Sequence, residues 1–293
     1  MAIMGFNLDE VKQFQNEIGK LKCKIKYDIN YRNDILNHSN NYNHIKEYFQ
    51  EISRYLQYTE KVDINDFYRI RKNDTCEPFM TRKELIYPEP NIKHEDRMNN
   101  TKFRVLYVSL NEYTAMAETR IDNNYIGSFF QLTRFSTTTP LTVYKLGIFS
   151  ELYLNSPRDS KYVKAKLKDI LGSEEHDITI QGYSALECAI ADVLYDTDED
   201  YHILSSILAD AIFTINPNVN AIMYPSMQNR YGVNLAIKKE CADSLEISYS
   251  SLNQLEKVYP NGFYKYYTKM DCEDFNDEDN FKFNNVDGNA TFR

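Results

Sequence analysis

The period of the apolar residues changes once along the chain, and that change limits the folds open to it. From Asn7 to about Tyr58 apolar side chains recur every three or four residues: Val11, Phe14, Ile18 and Leu21, then Ile45, Tyr48, Phe49, Ile52 and Leu56. Such spacing draws one stripe along a helix. Asn37-His38-Ser39-Asn40-Asn41 breaks the stripe with residues that favour caps and turns, so residues 1–60 read as a helical hairpin or small bundle. Beyond about Val62 short apolar runs alternate with helical stretches, the texture of an α+β fold. Strands are expected at Asp66 to Arg71, Phe103 to Val108, Thr142 to Leu146 and Ala221 to Tyr224. Helices are expected at Glu112 to Asp122 (capped by Asn111), Ser160 to Leu171, Ser184 to Tyr195 and Tyr201 to Phe213. Glu84 to Asn100, with Pro88 and Pro90, reads as a long loop of the kind that often carries a site. This gives a helical region at 1–60, a core domain at 61–245 and a C-terminal extension at 246–293. In the extension, Glu246 to Tyr267 adds a strand or two, and Asp271 to Asn280, with six acidic residues, reads as a mobile acidic tail.

Composition removes several classes of function. The 293 residues are 42% hydrophobic and 26% charged, enough to bury a core or two. A net charge of −9 argues against a protein that grips nucleic acid, which needs clustered Lys and Arg to displace counterions. No apolar run approaches the ~20 residues that cross a bilayer, and the start lacks the basic and apolar regions of a secretory signal, so no membrane role is expected and the chain reads as cytoplasmic. Five scattered cysteines without a CxxC pair suit neither a disulfide framework nor a zinc cluster. The Gly-rich phosphate loop, GxGxxG, HExxH and GxSxG are all missing. Any chemistry therefore rests on Arg, Tyr, Glu and Ser.

Four separated elements occur in order. Phe67-Tyr68-Arg69-Ile70 comes first, then Asp96-Arg97-Met98-Asn99-Asn100. Val105-Leu106-Tyr107-Val108-Ser109-Leu110 follows with Thr114-Ala115-Met116-Ala117-Glu118-Thr119, and Ala221-Ile222-Met223-Tyr224-Pro225-Ser226 with Tyr231-Gly232-Val233-Asn234-Leu235-Ala236 comes last. Together they resemble the RES domain, named for its Arg, Glu and Ser, over about Lys61 to Lys239. Asp96 stands where that family often has Gly, and Met98 where it usually has an aromatic.

The resemblance implies a compact α+β fold similar to ADP-ribosyltransferases, with NAD⁺ as substrate and neither metal nor other cofactor. Cleaving the nicotinamide–ribose bond develops positive charge at the ribose carbon, which a carboxylate stabilises, and Glu118 is the implied group. Arg69 and Arg97 would fork onto the pyrophosphate. Tyr107 would stack on the nicotinamide or bond near the ribose, and Ser226 would hydrogen-bond the nicotinamide or ribose as a positioning group. Asn234 would support the turn that carries Ser226. Without the resemblance the same residues read blandly: Glu118 as a solvated helix face, Arg69 and Arg97 as surface charges, Tyr107 as half-buried core and Ser226 as a turn former. Arg71, on the same strand face as Arg69, competes with it.

The implied activity is NAD⁺ consumption by hydrolysis or phosphorolysis, in a toxin or defence effector restrained by a helical antitoxin or immunity protein. The helical region and tail could bind that partner or form a homo-oligomer. Transfer of ADP-ribose to a protein or nucleotide is the alternative, and a non-enzymatic binding protein that keeps the fold is another. Arg32 and His38, with five residues between them, also resemble the Arg-x4-6-His spacing of HEPN ribonucleases.

Overall fold

A computed structural model describes residues 8–37, 39–56, 58–87, 97–99, 104–147, 177–196, 198–229, 231–260, 262–277, 280–286 and 290–292. The chain divides into two compact units, neither continuous in sequence. The first comprises Met1–Glu60, His94–Phe103 and Tyr144–Val219, the second Lys61–Lys93, Arg104–Val143 and Asn220–Arg293. The expected helix at Ser160 to Leu171 and most of the loop at Glu84 to Asn100 lie outside the described residues.

The first unit is helical, with α1 (Leu8–Tyr27), α2 (Ile29–Leu36) and α3 (Asn40–Tyr55). The stripe breaks where caps can form. The Asp28 carboxylate accepts from the Tyr31 amide at 3.0 Å to start α2, and Ser39 Oγ accepts from the Asn41 amide at 3.2 Å to start α3. The apolar stripe faces inward as its period requires: Val11, Ile18 and Ile25 on α1 and Ile45, Phe49 and Ile52 on α3 are all buried. Their partners come from far along the chain. α1 packs on α6 (Asp177–Leu194) and α3 on α7 (His202–Ile215). An ionic seam lies alongside, with Lys22 2.7 Å from Asp196, Arg32 2.6 Å from Asp200, and Lys46 2.9 Å from Asp210. Burial pushes the Asp196 pKa up, but hydrogen bonds from Lys22 and the Asp198 amide, with the charges of Lys22 and His202, hold it below the usual carboxylate range. Arg32 is thus engaged in an ion pair, and His38 lies outside the described residues.

The second unit is built on a sheet. Its strands are β1 (Thr59–Val62), β2 (Asp66–Asn73), β3 (Val105–Ser109), β4 (Phe129–Ser136), β5 (Leu141–Lys145), β6 (Ala221–Pro225), β7 (Val233–Lys238), β8 (Glu246–Val258), β9 (Tyr264–Cys272), β10 (Asn284–Asn285) and β11 (Ala290–Phe292). From β5 the order runs β5-β6-β7-β3-β2-β4-β8-β9-β10, with β11 also on β9. One face buries Phe67, Leu106, Val108, Phe135, Leu235 and Ile237 against Leu85 and Ile86 of α4 (Arg82–Ile86). The other buries Ile70, Phe130, Leu132 and Leu255 against Ala115 and Met116 of α5 (Glu112–Glu118). Each of these side chains larger than alanine contributes about 1.5–3 kcal/mol on burial, so both faces are firmly held. The C-terminal segment does not behave as a free tail where it is described: β10 and β11 pair with β9, and Phe281 is 1% exposed in the core.

Two local features set up the site. β2 and β3 share a single ladder pair, Tyr68 opposite Ser109, whereas β3 and β7 pair along their length. α5 ends at Glu118, earlier than its sequence suggests. The Arg120 amide donates to Ala117 O at 2.9 Å and the Ile121 amide to Met116 O at 3.2 Å, with Arg120 at φ 53°. This is the left-handed helix terminator usually built on Gly, and the buried Ile121 closes it against Met116. A side chain there costs about 1 kcal/mol. Arg120→Gly is therefore expected to raise stability by roughly 0.5–1 kcal/mol in a denaturant melt, and a loss of stability would contradict this account of the helix end.

Candidate active site

Three elements converge on one carboxylate. α5 carries Glu118 at its C-terminal end, β7 carries Asn234, and β6 delivers Ser226 immediately after Pro225. Ser226 Oγ donates to Glu118 Oε1 at 2.5 Å and Asn234 Nδ2 donates to the same oxygen at 2.7 Å. Oε2 takes no hydrogen-bond partner among the described residues. A carboxylate at a helix C-terminus faces the negative end of the helix dipole, so the two donors offset a real electrostatic cost.

Each donor is held in turn. Ser226, 7% exposed, accepts hydrogen bonds at Oγ from the amides of Gln228 at 3.2 Å and Asn229 at 2.9 Å. Its proton goes to Glu118 and its lone pairs go to the backbone, which leaves no electron pair to attack an electrophile. Ser226 thus orients the carboxylate. Asn234, 3% exposed, has its amide orientation fixed by Ser109, whose Oγ donates to Oδ1 at 2.7 Å and so turns Nδ2 toward Glu118. Ser109 is not among the residues that the sequence motifs point to. The available signal was its position two residues after Tyr107, which puts both on one face of β3.

The remaining expected residues fall in different places. Tyr107, half-buried, stands opposite Ala236 on the face of β3 that carries Ser109. Arg69 stands opposite Thr133 on β2 and alternates with Tyr68, so it leaves the strand on the face away from Ser109. Its Nη1 donates to the carbonyl of Tyr107 at 3.4 Å, beside the place where β2 and β3 part. Its competitor Arg71 donates to the Glu84 carbonyl and lies over the Phe79 ring at 4.3 Å, so it pins the segment before and within α4. Arg97 belongs to the first unit, where its Nη1 donates to the Leu194 carbonyl at 3.4 Å. Met98 beside it is 1% exposed, a buried apolar residue where the family usually has an aromatic. Among the described residues no group of three or more His, Cys, Asp or Glu could hold a metal ion, and no helix is long and apolar enough to cross a membrane.

Residues 66–253 match the family model of the RES domain. The chain belongs to the RES domain family. This RES domain begins at the first residue of β2 and runs to Asn253 in β8, so it holds Arg69, Arg97, Tyr107, Glu118, Ser226 and Asn234. No curated protein matches the sequence. Among solved structures, the crystal structure of the M. tuberculosis MbcT-MbcA toxin-antitoxin complex is similar at 12% identity and a TM-score of 0.37, covering 70% of this chain and 91% of that chain.

The Ser109 hydroxyl gives this RES domain a test that needs no substrate. Ser109→Ala leaves the buried Asn234 Oδ1 without its donor and frees the amide to turn, at a cost of about 1–3 kcal/mol. Denaturant unfolding should show that loss. A change below about 0.5 kcal/mol would mean that Ser109 does not fix Asn234.

Proposed function

We propose that this RES domain breaks the nicotinamide–ribose bond of NAD⁺, with Glu118 as the carboxylate at the reacting sugar. The observation that carries the reading is the arrangement of Glu118: Oε1 is gripped by Ser226 and Asn234, and Oε2 takes no hydrogen-bond partner among the described residues. A group held this way is aimed before substrate arrives, so its charge stabilises the transition state without reorganisation.

The chemistry balances simply. The bond between the ribose C1′ and the pyridinium nitrogen breaks, its electron pair neutralises the ring, and nicotinamide leaves uncharged. Positive charge builds on the ribose carbon, where Glu118 stabilises it. Water or inorganic phosphate then adds its oxygen to that carbon and releases a proton. Tyr107, on the strand face of Ser109, would pack against the leaving ring or ribose. Arg69 leaves β2 on the other face but reaches the Tyr107 carbonyl at the gap between β2 and β3, and the pyrophosphate oxygens would lie at that gap, against its guanidinium. In a cell this reaction drains NAD⁺, which fits a toxin or defence effector held in check by a proteinaceous, helical inhibitor.

The test is incubation of purified protein with NAD⁺, with and without phosphate, followed by chromatography of nicotinamide and ADP-ribose. The wild type should release nicotinamide, and Glu118→Gln should be slower by at least ~10²-fold with its fold intact. Equal rates for the two proteins would remove Glu118 from the reaction. Because the positively charged ring takes back the bonding electrons, the leaving group needs no Lewis acid, and activity should survive EDTA undiminished. Loss on chelation and recovery with a divalent ion would contradict this mechanism.

A further inference from the structure

The turn that carries Ser226 is fastened to α5 at a second point, one helical turn away from Glu118. Thr114, 0% exposed, donates its hydroxyl proton to Asn111 Oδ1 at 2.9 Å and accepts from Asn229 Nδ2 at 2.9 Å. Asn111 Oδ1 also accepts the Thr114 amide at 2.8 Å as the helix cap, so the hydroxyl is aimed by the same residue that starts the helix. Gly232 lies flush on this side chain: a Cβ there would stand 2.4 Å from Thr114 Oγ1 and 2.5 Å from Thr114 Cγ2. Only a residue without Cβ permits that approach.

The turn itself is closed by its own backbone. The Ser226 amide donates to Gly232 O at 2.8 Å, and the Gly232 amide donates to Asn229 O at 2.7 Å. It therefore moves as a unit. Residues four apart lie on one face of a helix, separated by about 6 Å of rise, so Thr114 and Glu118 present a two-point template to it. At one point Thr114 holds Asn229 and Gly232, and at the other Glu118 receives Ser226.

We infer that Thr114, with Asn229 and Gly232, is a positioning latch that sets where Ser226 meets Glu118 and so where the open carboxylate oxygen points. The inference rests on the reading of Glu118 as the carboxylate at the reacting sugar. Thr114 does not touch substrate in this scheme. Both halves of its side chain are used, the hydroxyl to bridge Asn111 and Asn229 and the methyl to meet Gly232. Valine copies the shape without the hydrogen bonds, and serine keeps the hydroxyl without the methyl.

The experiment compares wild type, Thr114→Val and Thr114→Ser by NAD⁺ cleavage and by amide hydrogen exchange over residues 226–232. For Thr114→Val, kcat should fall at least ~10-fold with KM for NAD⁺ within about twofold, because a misaimed carboxylate loses transition-state rather than ground-state interaction. Exchange of the Gln228, Asn229 and Gly232 amides should quicken at least ~10-fold. Thr114→Ser should recover most of both. Should Thr114→Val fail to fold, Asn229→Ala removes the same hydrogen bond from the turn's side and carries the test. Faster exchange with unchanged kcat would overturn the positioning role, and unchanged exchange would overturn the latch. A wild type that leaves NAD⁺ intact refutes the substrate reading, and exchange then judges the latch by itself.

Discussion

One oxygen atom, Glu118 Oε1, ties three elements of the second unit together. It accepts from a serine that follows β6 and from an asparagine on β7, residues more than a hundred positions downstream. A partly buried carboxylate is costly unless donors meet it, and hydrogen bonds to a charged group are among the stronger ones, about 1.5–3 kcal/mol each. The arrangement therefore stabilises the junction of α5 with β6 and β7 while it aims the charge. In the proposed reaction, stability and chemistry draw on the same two bonds.

The surrounding structure supplies the conditions for that contact. β3 and β7 run side by side, which brings Ser109 opposite Asn234 and fixes the amide. α5 is short and firmly ended, capped by Asn111 at one end and closed by Arg120 and Ile121 at the other, so Glu118 has little freedom along the helix axis. Its inner face is anchored by Ala115 and Met116 in the core. Beneath it β2 and β3 part after a single pair, and Arg69 reaches the Tyr107 carbonyl there.

Much of this could be read from the sequence where the signal is local. The helical stripe of residues 7–58 is realised as α1 to α3, and the turn-forming run at 37–41 holds the cap of α3. The strand containing Phe67 to Ile70, the strand ending near Ser109 and the Tyr-Pro-Ser element were legible because short apolar runs ended at turn formers. Glu118, Ser226 and Asn234 were picked from separate motifs, and the fold brings them into contact. The signals fail where meaning depends on a distant partner. β4 gives no clean strand signal because it buries Gln131 and Thr133 among its apolar residues, and these are satisfied by Phe79 and Ser250 from other segments. α5 is shorter than its sequence suggests because Arg120, not Gly, occupies its left-handed end. Ser109 and Thr114 look like ordinary strand and helix residues until Asn234 and Asn229 are placed beside them. Likewise, nothing local announces that α1 and α3 find their cover in α6 and α7.

The central claim is that the reacting bond of NAD⁺ lies at Glu118. Its most direct measurement is a crystal structure of the Glu118→Gln protein soaked with NAD⁺. The account expects the nicotinamide ribose beside residue 118, with a sugar hydroxyl within about 3 Å of the side-chain atom that Ser226 and Asn234 leave open, and the nicotinamide against Tyr107. NAD⁺ bound with its nicotinamide ribose away from residue 118 would contradict it.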